Sequence, residues 1–424
     1  MSSDRYSDRK RNTSAYSDDF YIGLSEEYGQ VASTSHRRKR ARQRAAARRR
    51  RNNRIKLVLM GVVSLVVIVS IVIGICTGIK SCLSDDSDSG FKTANSSKTS
   101  SNSVSSVAKD TANEDNPLEF VKVKIDDDNT SGAYSSQNTS IYIWNKMAFE
   151  IFGASADRSD MYADAINNAT SKLGDDIKVY SIMVPLHGEM NLPERLKTET
   201  GSTSQADNIY NAYSKFEKAQ AINVYNVLAN HNNEYLYFNS DHHWTGLGAY
   251  YAYTAFCEQT NQKPMTISED GTNKIEGFTG SFHTYGKNLT DTVYYYDLPY
   301  DTTCTLYASS DSEGQEADIY YKDETGGENT YGVFINGDQA KFIIKSECDS
   351  DKKIAVVKES FGNAFVPYLS ANYKEVHVLD MRYSGITDLK SYCKDNDIDE
   401  VLFINNMMSA NSADRVDEIE KIVG

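Results

Sequence analysis

The chain has 424 residues, 40 % hydrophobic and 25 % charged, with a formal net charge of −14. That is enough apolar material for one large or two ordinary domains, and it excludes a chain disordered throughout. The charge is divided unevenly: residues 1–56 carry 16 Lys/Arg against 6 Asp/Glu, and the remaining 368 carry 29 against 53, an acidic balance that argues against nucleic acid as a partner of the larger part.

In chain order, the first 56 residues close on RRKRARQRAAARRRRNNRIK, Arg37 to Lys56, with 12 Lys/Arg and no acid. LVLMGVVSLVVIVSIVIGICTGI follows, Leu57 to Ile79, 23 residues without a charge. As a helix rising about 1.5 Å per residue it reaches roughly 34 Å, enough to cross a ~30 Å hydrocarbon layer. The stretch is too long, and begins too late, for a cleaved signal peptide. The sequence therefore predicts a transmembrane helix over 57–79. Arginines on its N-terminal side hold that side in the cytoplasm and can touch anionic lipid, so residues 1–56 are expected to be a disordered basic cytoplasmic tail and the C-terminal bulk to lie outside the cell membrane. Residues 80–116, rich in Ser, Asp, Asn, Thr and Lys, read as a flexible tether. Cysteines fall at 76, 82, 257, 304, 348 and 393 without a C-x-x-C pair, which leaves their redox state open.

From 117 to 424 short apolar runs alternate with helical patterns, the sign of an α/β fold with a central parallel sheet covered by helices in three layers. Strands are expected at 177–185, 233–240, 353–360, 375–382 and 399–406. Helices are expected at 158–173, 206–230, 245–258, 362–372, 386–395 and 411–423. The Tyr-rich, alternating stretch 286–347 reads as an antiparallel, β-rich insertion. The 29 tyrosines are mostly accounted for by packing on half-buried sheet, with carbohydrate stacking as the functional option.

Ligands in open parallel sheets bind beyond the carboxyl ends of the strands, and two polar clusters sit at such ends. One is Asp241-His242-His243-Trp244; the other is KESFGNAF, in which Ser360 stands at a strand-to-helix junction. A serine there has its hydroxyl lifted from the sheet beside helix N–H groups, and a histidine oriented by an acid would make it a nucleophile. Asp241 and His243 are two residues apart and can share a side of an extended segment while His242 points elsewhere. These residues assign Ser360 as nucleophile, His243 as general base and Asp241 as orienting carboxylate, with Thr245 as helix N-cap. Asp-His-His also occurs in manganese phosphoesterases, but those sites need Asp-x-Asp pairs after earlier strands, and here such pairs fall in the tether or in polar loops. No metal and no cofactor is expected. His187, Glu189 and His283 are loop residues without matched partners.

The segments DHHWTGLGAYYAY and VVKESFGNAFVPYLSANYKEVHVLDMRY closely resemble the DHHW protein family of Gram-positive bacteria, which is similar to the SGNH-hydrolase-like domains of alginate O-acetyltransferases. The resemblance implies an SGNH-hydrolase-like domain over 117–424, with Asp241, His243 and Ser360 as a triad in permuted order. It also implies O-acylation of a cell-surface polysaccharide beside a multi-pass membrane acyltransferase that supplies the acyl group. Glu359 stands where the family usually has Asp. Gly337 and Asn363 fall where such sites draw oxyanion donors, beside the Ser360 N–H, and Trp244 and Arg382 complete the candidate substrate residues, Arg382 with pairing to Asp380 as its alternative. The expected function is thus a membrane-anchored, serine-dependent O-acetyltransferase. A carbohydrate esterase with the same triad, or a non-catalytic wall-binding or scaffold domain, is the alternative.

Overall fold

A computed structural model describes residues 108–109 and 117–424, apart from 287 and 323–324. The expected cytoplasmic tail, transmembrane helix and most of the tether lie outside the described residues, among which no helix is long and apolar enough to cross a membrane. The end of the expected tether takes part in the fold: β1 (Ala108–Lys109) pairs in parallel with β2 (Phe120–Val121).

A small antiparallel meander follows, β3 (Ala133–Tyr134), β4 (Ile141–Trp144) and β5 (Met147–Glu150), which the sequence reading did not anticipate. The main sheet takes β6 (Lys178–Val184) and β7 (Gln220–Ala221). A hairpin of its own, β8 (Thr272–Phe278) with β9 (Asp291–Tyr296), comes next. The main sheet then gains β10 (Thr302–Tyr307), β11 (Gln315–Ala317), β12 (Lys341–Ser346), β13 (Lys353–Lys358), β14 (Glu375–Asp380) and β15 (Glu400–Asn406). Its spatial order is β11-β10-β12-β14-β13-β15-β6-β7. The five strands from β14 to β7 are parallel, whereas β12, β10 and β11 continue the sheet antiparallel.

The sheet is therefore mixed, not wholly parallel, and part of the Tyr-rich stretch extends it instead of standing apart. Strand β13, KIAVVK, is buried from Ile354 onward, as a strand covered on both faces must be. Helices Ala156–Leu173, Gly246–Gln259, Gly362–Leu369, Leu389–Asp395 and Ala413–Val423 lie within two or three residues of their expected bounds.

Two expectations fail. The helix expected over 206–230 is two helices, Gln205–Tyr213 and Tyr225–Asn230, with β7 between them. Ser204 caps the first, and Asn223 accepts the Asn226 N–H to start the second; a polar residue that satisfies free helix N–H groups makes a new start locally cheaper than continuation. The strand expected over 233–240 is a loop folded on itself, with one bridge between Tyr237 and Trp244. Cys257, Cys304, Cys348 and Cys393 are buried free thiols.

Candidate active site

Strand β13 leaves the sheet at Lys358, and Glu359 and Ser360 make the turn into the helix Gly362–Leu369. Glu359 ties that turn down: Oε1 accepts the Asn406 N–H at the end of β15 at 2.9 Å, and Oε2 accepts the Phe361 N–H at 3.2 Å. Ser360 is left half-buried, and its own N–H is bonded to no described residue, so it is available to a developing oxyanion.

Facing it is the loop that closes on itself through Thr245 N–H to Leu236 O at 2.8 Å and Phe238 N–H to His243 O at 3.2 Å. Asp291, first residue of β9, clamps the tip of this loop. Its Oδ1 accepts the Tyr235 hydroxyl at 2.5 Å and the Asn239 N–H at 3.1 Å, and its Oδ2 accepts the Ser240 N–H at 2.6 Å and hydroxyl at 2.5 Å. Gly280 packs so closely that a Cβ there would lie 2.3 Å from Asp241 Cβ and 2.6 Å from Ser240 O. That approach lets the next residue, Ser281, donate its N–H to Asp241 Oδ2 at 2.8 Å.

Asp241, His243 and Ser360 are thereby brought together. His243 Nδ1 lies 2.6 Å from Asp241 Oδ1, which also accepts the His243 backbone N–H at 2.9 Å. A carboxylate oxygen can only accept, so the imidazole proton sits on Nδ1 and Nε2 is bare. The Ser360 hydroxyl donates to that Nε2 at 2.8 Å; Glu359 Oε2, at 3.3 Å, is a poorer acceptor for it. Tyr331 stacks on the His243 ring at 3.9 Å and 10°, and its hydroxyl donates to Ser360 O at 3.1 Å, fixing the plane of the base. Burial opposes a charge on Asp241, but the His242 and His243 imidazoles and the hydrogen bonds from His243 and Ser281 outweigh it and hold the carboxyl well below the usual range. His242 points away to Ser281 Oγ at 2.9 Å. Burial first, and then the neighbouring His243, push it down to about 3, so it is neutral at physiological pH.

The remaining sequence candidates are placed differently. Trp244 is fully buried and donates its indole N–H to Phe361 O at 2.9 Å, so it cannot reach substrate and instead struts the histidine loop against the serine turn. Gly337 closes a run of three left-handed residues, Ile335, Asn336 and Gly337, a conformation unusual for a β-branched residue; its N–H is spent on Phe334 O at 2.9 Å, not offered to an oxyanion. Asn363 is buried and donates to Asp338 Oδ1 at 2.9 Å. Arg382 takes its alternative role: Nε and Nη2 grip Asp380 at 2.8 and 2.7 Å, and Nη2 meets Asp338 at 2.7 Å. Lys358, with a side chain 1 % exposed, completes this network at 2.7 Å from Asp380 and 3.1 Å from Asp338. Two cations facing two anions, Lys358 and Asp380 buried and Arg382 and Asp338 partly so, form a neutral platform beside the serine turn, where a lone charge would be costly.

Asp241, His242 and His243 place their donor atoms within 4.8 Å of one another, so a cation is the other chemistry to weigh. The Nδ1–H of His243 is already given to Asp241, and His242 Nδ1 lies against Ser281. A metal on the Nδ1 atoms would have to displace both bonds, and one on His243 Nε2 would have to displace the Ser360 hydroxyl, so these residues suit proton relay better. Sequence reading missed Asp291, Gly280, Ser281 and Tyr331, all of which reach the site from the β8–β9 region or beyond; it also missed Glu150, which is close enough to Asp241 and Glu359 to feel both charges.

Comparison with solved structures places this mixed α/β fold among known ones. A DHHW family protein from Eubacterium siraeum DSM 15702 superposes with a TM-score of 0.61 at 28 % identity, over 69 % of this chain and 98 % of that one. PatB1 from Bacillus cereus in a sulfonyl-adduct form superposes at 0.53 with 19 % identity, over 65 % of this chain and 98 % of PatB1; for a second PatB1 structure the values are 0.52, 18 %, 68 % and 99 %. At that identity the PatB1 likeness is one of fold. A comparison with curated proteins finds no match. The family model for DHHW proteins matches residues 79–379, and the chain belongs to the DHHW protein family.

Proposed function

We propose that the protein is a serine-dependent O-acyltransferase, transferring acetyl groups to a cell-surface polysaccharide through an acyl-Ser360 intermediate. The observation that carries this reading is the unbroken relay from Asp241 through His243 to Ser360, with bonds of 2.6 and 2.8 Å, beside a backbone N–H free to hold an oxyanion. A scaffold domain has no need for such an alignment.

Ser360 Oγ attacks the acyl carbonyl as its proton passes to His243 Nε2. The Ser360 N–H receives the oxyanion. Collapse expels the donor's leaving group, which takes the proton from His243, and the acyl-serine remains. His243, neutral again, deprotonates an acceptor hydroxyl that attacks the ester and restores the serine. With water as acceptor the same steps give an esterase. The reading includes an SGNH-hydrolase-like arrangement, supported by five parallel strands with the serine after one of them, β13. It also includes an N-terminal membrane anchor at 57–79 holding the domain outside the cell, near a multi-pass membrane protein that delivers the acyl group.

Full-length protein and Ser360→Ala, each with and without chelator, are compared for turnover of a chromogenic acetyl ester. The expected result is chelator-insensitive turnover in the wild type and a drop of at least about 10³-fold in the variant, the scale on which loss of a nucleophile is felt. Equal rates in two folded proteins would contradict the proposal, and loss on chelation would point to a cation instead.

A further inference from the structure

The meander β3–β5 brings to the site a carboxyl that the relay does not use. Ala148 in β5 donates its N–H to Asn239 O at 3.0 Å, which lays β5 along the segment that leads into Asp241. Side chains two apart on a strand share a face, so Glu150 is on the face of Ala148. That face is defined by packing: Ala148 sits in an apolar cluster with Phe282 and Ile141, against which Tyr285 and Leu289 lie. Phe282, Tyr285 and Leu289 belong to the loop whose Ser281 holds Asp241. Glu150 thus faces the histidine loop, half-buried, with no hydrogen bond or ion pair to any described side chain. The opposite face, through Phe149, is turned to His187 at 4.6 Å.

We infer that the Glu150 carboxyl orients the hydroxyl of the acyl acceptor beside Ser360. The inference rests on the acyltransfer reading above. The charged groups that bear on it are the carboxylates of Asp241 and Glu359, while His187 lies on the other face of the strand, against Phe149. Burial, and then the charges of Asp241 and Glu359, raise Glu150 to about 8. Up to that pH it keeps its proton and presents one donor and one acceptor, the complement of a hydroxyl that must be held by its oxygen and freed of its hydrogen. An ionised Glu150 would lose the donor and add a third negative charge where an alkoxide is to form.

The test separates the two half-reactions in the full-length protein. Wild type, Glu150→Gln and Glu150→Ala are acetylated with a chromogenic ester, and partition of the acetyl-enzyme between water and an added oligosaccharide acceptor is followed from pH 6 to 9.5. For the wild type, transfer relative to hydrolysis should fall as pH rises through about 8. Glu150→Gln, which keeps a donor and an acceptor, should transfer without that fall, and Glu150→Ala should lose transfer by about tenfold or more relative to wild type below pH 8, as expected for one or two lost hydrogen bonds. Identical partition in all three proteins, or a loss in Glu150→Ala that strikes acetylation and transfer equally, would overturn the inference. Failure of the wild type to form an acetyl-enzyme would instead overturn the acyltransfer reading itself.

Discussion

At the scale of single residues the site depends on who accepts and who donates. Asp241 Oδ1 takes two N–H groups of His243, and that double acceptance sets the tautomer that leaves Nε2 open to Ser360. Asp241→Asn keeps the shape but turns one oxygen into a donor and lets the imidazole proton move to Nε2. The expected result is a fall in ester turnover of about 10³–10⁴-fold with the fold intact, checked by steady-state kinetics beside circular dichroism. This pair and the serine were legible in the sequence because their geometry is local: two residues two apart, and one residue at a strand-to-helix turn. Glu150 was not legible, because nothing near it in sequence hints that β5 would lie against a loop some ninety residues later. Gly337 misled for the converse reason: a glycine in FINGD marks a left-handed turn as readily as an oxyanion donor, and here the turn consumes its N–H.

At the scale of elements, the histidine loop is held by a strand that brings only its first side chain to the site. Asp291 opens β9 and receives hydrogen bonds from Tyr235, Asn239 and Ser240. Asp291→Ala leaves several of those donors buried without an acceptor, each costing about 1–3 kcal/mol. The protein should lose roughly 2–4 kcal/mol of stability, read as an earlier urea midpoint at unchanged slope, and should lose turnover as the loop tip loosens. A midpoint within error of the wild type would show that water replaces the clamp. In sequence, DTVYYY reads only as an alternating strand; that its first residue reaches back fifty positions to hold the loop is a tertiary fact. The same holds for 233–240, whose apolar alternation suits a strand, but whose carbonyl and amide groups are taken up by Thr245 and His243 on the returning arm of the loop.

At the scale of the whole molecule, the parallel part of the sheet was visible in its buried apolar runs, and four of the five expected strands stand where they were read. The antiparallel extension was less visible, since β10 and β12 alternate as well within an extension of the main sheet as in a separate hairpin. The candidate site residues gather at the carboxyl end of the sheet, where β13 and β14 lead into Ser360 and Arg382 and β15 ends in Asn406, and they meet the loop 236–245 there. The central claim is that an acyl group passes through Ser360. Full-length protein, quenched during turnover of an acetyl ester and digested for peptide mass spectrometry, tests it most directly: the account predicts one added acetyl group on the peptide bearing Ser360, accumulating in the wild type and absent from Ser360→Ala. Turnover with no adduct, or an adduct on another residue that persists in Ser360→Ala, would contradict it.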